Sequence, residues 1–240
     1  MKFESIKDSY VNEELTLYSE ADYISIPSSF AKQTYIEKGI APEKLVQIPY
    51  GVDLTNFRQI QKKDDIFRMI FVGSLSLRKG VHYLLEPVSE LRLKNEELLL
   101  IGYESKEIKS FMEKYKECYR YIGKVPHLEL HKYLSQGSVF VLPSIEEGLA
   151  MVIPQAMACG LPIICTTNTG GADIIRDGKE GFIIPIRDVN ALKEKILYLY
   201  EHEETREFMS ELALKRAKEF TWDVYGNKLI AAYKEIVNKR

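Results

Sequence analysis

The chain has 240 residues, 45% of them apolar and 28% charged, with a formal net charge of -2 at pH 7. That balance fits an ordinary soluble globular protein and argues against general attraction to nucleic acid or anionic lipid. Three cysteines without a CxxC pair point to reduced, structural thiols and a cytoplasmic setting. The first ten residues lack the apolar segment of a signal peptide, and no apolar run reaches the ~18–20 residues that span a bilayer.

In chain order, residues 1–20 read as a polar amphipathic helix and 21–26 as a strand. Ser28 and Ser29 then supply an N-cap for a helix to about residue 38. Residues 45–48 form a second short strand, and PYGVD at 49–53 a turn. The polar stretch QIQKKDD at 59–65 marks a boundary near residue 60. Beyond it, strands are expected at 68–72, 97–101, 119–122, 139–142, 162–166 and 182–185. Helices are expected between most of them, at 81–93, 105–117, 128–135 and 154–158, with a single turn at 172–175. Three more helices follow, at 190–200, 203–220 and 222–237, the last capped by Thr221. This alternation predicts an α/β protein with a doubly wound, mostly parallel six-stranded Rossmann-like sheet.

The densest stretch is SVFVLPSIEEGLAMVIPQAMACG at 138–160, a buried strand, a polar turn and a helix start. Pro154 is expected at the first helical position, leaving the amides of residues 154–157 aimed at the strand's end. In the common strand order 3-2-1-4-5-6, strands one and four are central neighbours, and a crevice opens at their carboxyl ends. Its walls are then GSLSLRKG at 73–80 and PSIEEGL at 143–149, the loops richest in Gly, Ser and charge.

Arg78 and Lys79 sit just before a helix start, where cations oppose the macrodipole by roughly 0.3–1 kcal/mol each. A bound phosphate would reverse that sign; two solvated side chains on a surface turn are the bland alternative. The loop is not a GxxxxGK[ST] phosphate loop. Glu146 and Glu147 either cap the next helix or face something neutral and rich in hydroxyls, such as a sugar ring. Gln155 suits a ribose diol or is an exposed first-turn residue. Thr169-Gly170-Gly171 permits close backbone approach to a ligand, or is a plain turn. The four scattered histidines read as surface residues and form no metal cluster.

Taken together, PYGVD, FVGSLSLRKG, PSIEEGLAMVIPQAMACGLPII, TGGADIIRDGKEGFII and FTWDVYGNKLIAAY resemble the family 4 (group 1) glycosyltransferases of the GT-B fold, in that order. The resemblance runs from about Tyr23 to the C-terminus. It implies a retaining, metal-independent hexosyltransferase that takes a nucleotide sugar (a UDP- or GDP-sugar) as substrate and needs no cofactor. The acceptor, a saccharide or lipid-linked saccharide, is not named by it.

By position, Lys79 resembles the family lysine on the donor diphosphate, with Gly73 beside it. Glu147 resembles the first glutamate of the Glu-x7-Glu motif, a catalytic position that contacts the donor sugar. Gln155 stands at the second glutamate, on the ribose hydroxyls. Gly148, Leu149, Ala150 and Met151 match the backbone clamp on phosphate and sugar, and Val125 lies where the nucleobase is held. Ser74 replaces a second phosphate-binding arginine, a role that Arg78 takes from the other end of the loop.

The resemblance further implies three parts. Residues 1–59 are a remnant of the acceptor-side domain and the connection from it, 60–222 the donor-binding domain, and 223–240 a crossing helix. Two readings from different classes follow: a glycosyltransferase, or a nucleotide-sugar-binding module without turnover of its own. The module would be the donor subunit of a two-chain enzyme or a truncated one, pairing with itself or with a separate acceptor-domain chain. A dinucleotide binder is a third reading, weakened by the lack of GxGxxG after the first strand.

Overall fold

The computed structural model describes residues 8–238. A long polar helix, α1 (Asp8–Glu20), precedes a two-stranded parallel ribbon of β1 (Ile24–Ile26) and β2 (Leu45–Gln47), joined through α2 (Ser29–Glu37). The Ser28 side chain caps α2 by accepting from the Ala31 amide, as its position in the sequence predicts.

Then come β3 (Phe67–Val72), α3 (Val81–Leu91), β4 (Glu96–Ile101), α4 (Lys109–Lys114), β5 (Arg120–Gly123), α5 (Leu130–Leu134), β6 (Val139–Leu142), α6 (Val152–Ala158), β7 (Ile163–Thr166) and β8 (Gly181–Ile184). Three helices close the chain: α7 (Val189–Glu201), α8 (Glu203–Ala217) and α9 (Trp222–Asn238). The six later strands form one all-parallel sheet in the order β5-β4-β3-β6-β7-β8, which is 3-2-1-4-5-6 counted within the sheet. Sequence order reverses between β3 and β6, so the crevice lies where topology predicts it.

The sheet holds because its middle is apolar on both faces. All four residues of β6, and Met69, Ile70 and Phe71 of β3, are wholly buried. Each such side chain stabilises the fold by about 1.5–3 kcal/mol relative to exposure. α3 packs on α7, and α6 packs on α8. At the end of this unit the chain returns to the PYGVD turn, where the Val52 amide donates to the Phe220 carbonyl at 2.7 Å.

Three local expectations change. The segment 105–117 is broken into 3-10 turns flanking the short α4, as Tyr115 leaves helical geometry at φ -112° and ψ 21°. α3 stops early because Arg92 turns left-handed at φ 43°. α6 starts at Val152, so Pro154 is its third residue. A first-turn amide has no intrahelical acceptor, so proline costs nothing there either. The amides of residues 155–157 consequently join the helix ladder instead of facing β6, and the Ile153 amide is taken by the Ala150 carbonyl at 2.9 Å.

Glu180 is wholly buried at the entrance to β8 and bonded by the Arg176 guanidinium and by the Arg176 amide at 2.7 Å. Burial alone would push its carboxyl up; the Arg176 bonds outweigh that and hold it below the ordinary value of 4.5. A depressed folded pKa stabilises fully above the unfolded pKa and less as pH falls through the folded one. Glu180→Gln is therefore expected to cost roughly 1.5–3 kcal/mol at neutral pH. The deficit should shrink as pH drops below 4.5, read by urea denaturation at several pH values. A deficit independent of pH would remove the charged pair from the account.

Candidate functional site

Two loops meet at the switch point. The first, 73–80, is tied sideways to the segment after β4. The Leu75 amide donates to the Tyr103 carbonyl at 2.7 Å, and the Leu77 amide to the Glu107 carboxylate at 3.1 Å. The second, 143–151, follows β6. They touch at Gly80, whose φ is +69° and where an added Cβ would lie 1.9 Å from the Pro143 carbonyl oxygen. No other residue fits there without moving one loop off the other. The Ile145 amide donates to the Arg78 carbonyl at 2.8 Å and completes the seam.

Across this seam the charges pair. The Glu147 carboxylate accepts the Lys79 ammonium and, at 3.0 Å, the Arg78 guanidinium. Arg78 also donates to the Glu146 carbonyl at 2.8 Å, with the Glu146 carboxylate 3.9 Å away. Burial separates the four. The Lys79 and Glu147 side chains are 15% and 13% exposed, those of Arg78 and Glu146 52% and 58%. The inner pair is held in low dielectric, where its attraction is strong; the outer pair is largely screened by water. Arg78 and Lys79 are thus not independent solvated side chains, and neither glutamate serves as a simple helix cap.

The remaining candidates divide. Gly148 is half-buried, Leu149 and Ala150 are buried, and Met151 is 39% exposed at the start of α6. Gly73 and Ser74 are half-buried at the end of β3; the Ser74 hydroxyl is 3.5 Å from that of Ser76 and meets no charge. Val125, half-buried after β5, lies at the carboxyl end of its own strand. Gln155 is buried, with Nε2 3.1 Å from Nε2 of His127. His127 in turn meets the Phe57 ring edge-on at 5.0 Å. His127 is exposed, as the sequence predicts for the scattered histidines, yet its ring reaches Gln155. Its place two residues after Val125, in a loop leaving a strand's carboxyl end, is the available signal for that contact.

The Thr169-Gly170-Gly171 turn, singled out in the sequence, meets the second loop. The Glu147 amide donates to the Asn168 carbonyl at 2.8 Å and the Ala150 amide to the Thr169 carbonyl at 3.2 Å, so the turn after β7 holds the 146–150 loop. Ser144 is wholly buried with its hydroxyl unpartnered, while its carbonyl accepts from Thr166 at 2.5 Å. Away from the crevice, the amino ends of β3, β4 and β6 border a cavity of about 670 Å³. There Lys62 donates to Ser138, and Arg206 to Glu203 and the Leu199 carbonyl, which commits those donors to the protein itself. Among the described residues no group of three or more His, Cys, Asp or Glu could hold a metal ion. No helix among them is long and apolar enough to cross a membrane.

A six-stranded parallel sheet with charged loops at its switch point is the doubly wound α/β architecture, in which open sheets bind ligands at the carboxyl edge. Residues 53–216 match the family model of the group 1 glycosyl transferases, and the chain belongs to that family. It is 31% identical over 168 residues to an uncharacterized glycosyltransferase of Methanocaldococcus jannaschii, covering 70% of this chain and 48% of that protein. Sucrose-phosphate synthase from Thermosynechococcus elongatus superimposes with a TM-score of 0.85 at 21% identity, over 100% of this chain and 65% of that one. Anabaena HepE in complex with UDP-glucose gives 0.82 at 16%, over 96% and 68%. The fold is thus that of GT-B glycosyltransferases, and the sheet corresponds to their C-terminal Rossmann-like domain. The chain spans about half the length of the curated relatives it matches.

Proposed function

We propose that this chain is the donor-binding half of a retaining, metal-independent glycosyltransferase of the cytoplasm that takes a nucleotide sugar. One observation carries the reading: a mostly buried carboxylate, Glu147, is shared by two cations at the carboxyl ends of β3 and β6. An incoming diphosphate would draw Lys79 and Arg78 toward its oxygens, through charge-assisted bonds stronger than neutral ones. That frees the Glu147 carboxylate to accept from sugar hydroxyls. As the bond from the sugar to the diphosphate breaks, charge builds on the leaving phosphate, where the two cations stabilise it. Gln155, held by His127, would meet the ribose diol, and Val125 the base, while Gly148, Leu149, Ala150 and Met151 line the path between them. Residues 60–222 form the donor-binding domain in this reading, with 1–59 as the acceptor-side remnant and 223–240 as the crossing helix.

The second reading is a module that binds the donor and leaves turnover to another chain. Donor hydrolysis by the purified chain separates the two. Glu147→Gln tests the site itself. It is expected to weaken UDP-glucose or GDP-mannose binding by about 1.5–3 kcal/mol, while UDP or GDP affinity, relieved of a competing carboxylate, does not fall. Glu146→Gln, at the exposed end of the cluster, should change either by less than about 1 kcal/mol. Equal effects of the two substitutions in calorimetry would remove Glu147 from the sugar.

A further inference from the structure

The N-terminal segment is fastened to the candidate site through two side chains, Asp173 and Ser28. Asp173 closes the 3-10 turn Gly171–Asp173 after β7. Its Oδ2 accepts from the Ser29 amide at 2.7 Å and the Ser29 hydroxyl at 2.9 Å, and its Oδ1 accepts from the Gln47 amide group at 2.8 Å. A single carboxylate therefore joins the first turn of α2 and the last residue of β2 to the turn after β7. A negative charge at that end of α2 is favoured by the helix dipole. Beside it, the Ser28 hydroxyl donates to the Gly148 carbonyl while accepting from the Ala31 amide.

The same turn holds the loop that carries Glu147, through Asn168 and Thr169 as described above. Contact between the layers is close. A Cβ added at Gly170 would lie 2.8 Å from the Gly148 carbonyl oxygen and 2.9 Å from the Ser28 Cβ. α2, the 167–173 turn and the 146–150 loop are thus stacked with no space between them. Movement of the N-terminal segment must reach Glu147 or break the Asp173 and Ser28 bonds.

We propose that Asp173 is a positioning residue: by tying Ser29 and Gln47 to the turn after β7, it fixes the 146–150 loop and so the placement of the Glu147 carboxylate. It acts without touching the ligand, and the nucleotide-sugar part of the claim rests on the functional reading above. The link itself does not. It makes the N-terminal segment part of the donor site's construction, although its sequence contains no ligand-contacting candidate.

The test compares Asp173→Ala with Asp173→Asn. Asparagine keeps the bonds, since its oxygen can accept from Ser29 while its amide donates to Gln47 with that side chain's amide turned over. In Asp173→Ala the Glu147 and Ala150 amides should exchange with solvent about tenfold faster while β6 amides keep their protection. The UDP-glucose dissociation constant should rise about tenfold, against less than about twofold for UDP. Asp173→Asn should restore wild-type behaviour in both measurements. Unchanged exchange at Glu147 and Ala150, or equal loss of protection in β6, overturns the link. Faster exchange with an unchanged ratio of UDP-glucose to UDP affinity overturns the claim that the link places Glu147. An Asp173→Asn variant as impaired as the alanine one means that charge, not tethering, is what matters. If the wild-type chain binds neither UDP nor GDP, the functional reading fails instead, and the exchange measurement alone decides the link.

Discussion

Lys79→Ala is expected to weaken nucleoside diphosphate binding by about 1.5–3 kcal/mol, roughly a ten- to 150-fold rise in Kd. The geometry places the effect toward the upper part of that range. Lys79 is the less exposed of the two cations on Glu147, and removing it leaves that carboxylate facing the crevice with only the half-exposed Arg78. A diphosphate would then lose a cation and meet an undercompensated anion. The second contribution is separable: Lys79→Ala combined with Glu147→Gln should recover part of the loss, because the repelling charge has gone. Residues in contact couple in this way, and the double-mutant cycle measures it. The fold should survive each change, since the sheet's core lies below the loops. Titration calorimetry with UDP and GDP reads the outcome, and an unchanged Kd in the single variant removes Lys79 from the diphosphate.

The 240-residue chain on its own is expected to self-associate. Its C-terminal helix α9 has 17 residues, none of them buried, and exposes Trp222, Ile230, Tyr233 and Val237 at 42–68%. Tyr10, Val11, Leu15 and Leu17 are exposed along α1. Between α9 and the β1–β2 ribbon runs a narrow groove of about 70 Å³ lined by Tyr23, Val46, Ile48, Leu229 and Ile236. Trp222, Ile230, Tyr233 and Val237 recur at helical spacing and so share one side of α9, an exposed apolar stripe of the kind that marks an interaction surface. β1 pairs with β2 over three residues, but a two-stranded ribbon still presents two edges to any further strand. Light scattering at rising protein concentration should give a mass above 27.7 kDa. Replacing Ile230 and Tyr233 by glutamate, both on the exposed side of α9, should lower it. A monodisperse monomer at high concentration would show that this face needs no cover.

The six sheet strands, their alternation with helices and the position of the crevice were all legible in the sequence. Each rests on a short-range signal. A strand buried on both faces reads as an unbroken apolar run, as in Val139–Leu142, and the parallel crossover fixes where the loops between strands must emerge. The resemblance that named the family drew on the same loops, because Gly80 and the 143–151 segment answer to backbone constraints that sequence records directly. What tertiary structure alone decided is who faces whom across long separations. Lys79 and Glu147 are 68 residues apart, and nothing in either loop's composition says that the lysine pairs with the glutamate. Asp173 lies 144 residues from Ser29, and Gln155 lies 28 from His127; each pair is made by chain ends that topology brings together. The start of α6 at Val152 was hidden for a related reason. Proline is tolerated anywhere in a first turn, so Pro154 bounds that start without fixing it, and the packing of the 143–151 loop on Gly80 and on the turn after β7 sets it.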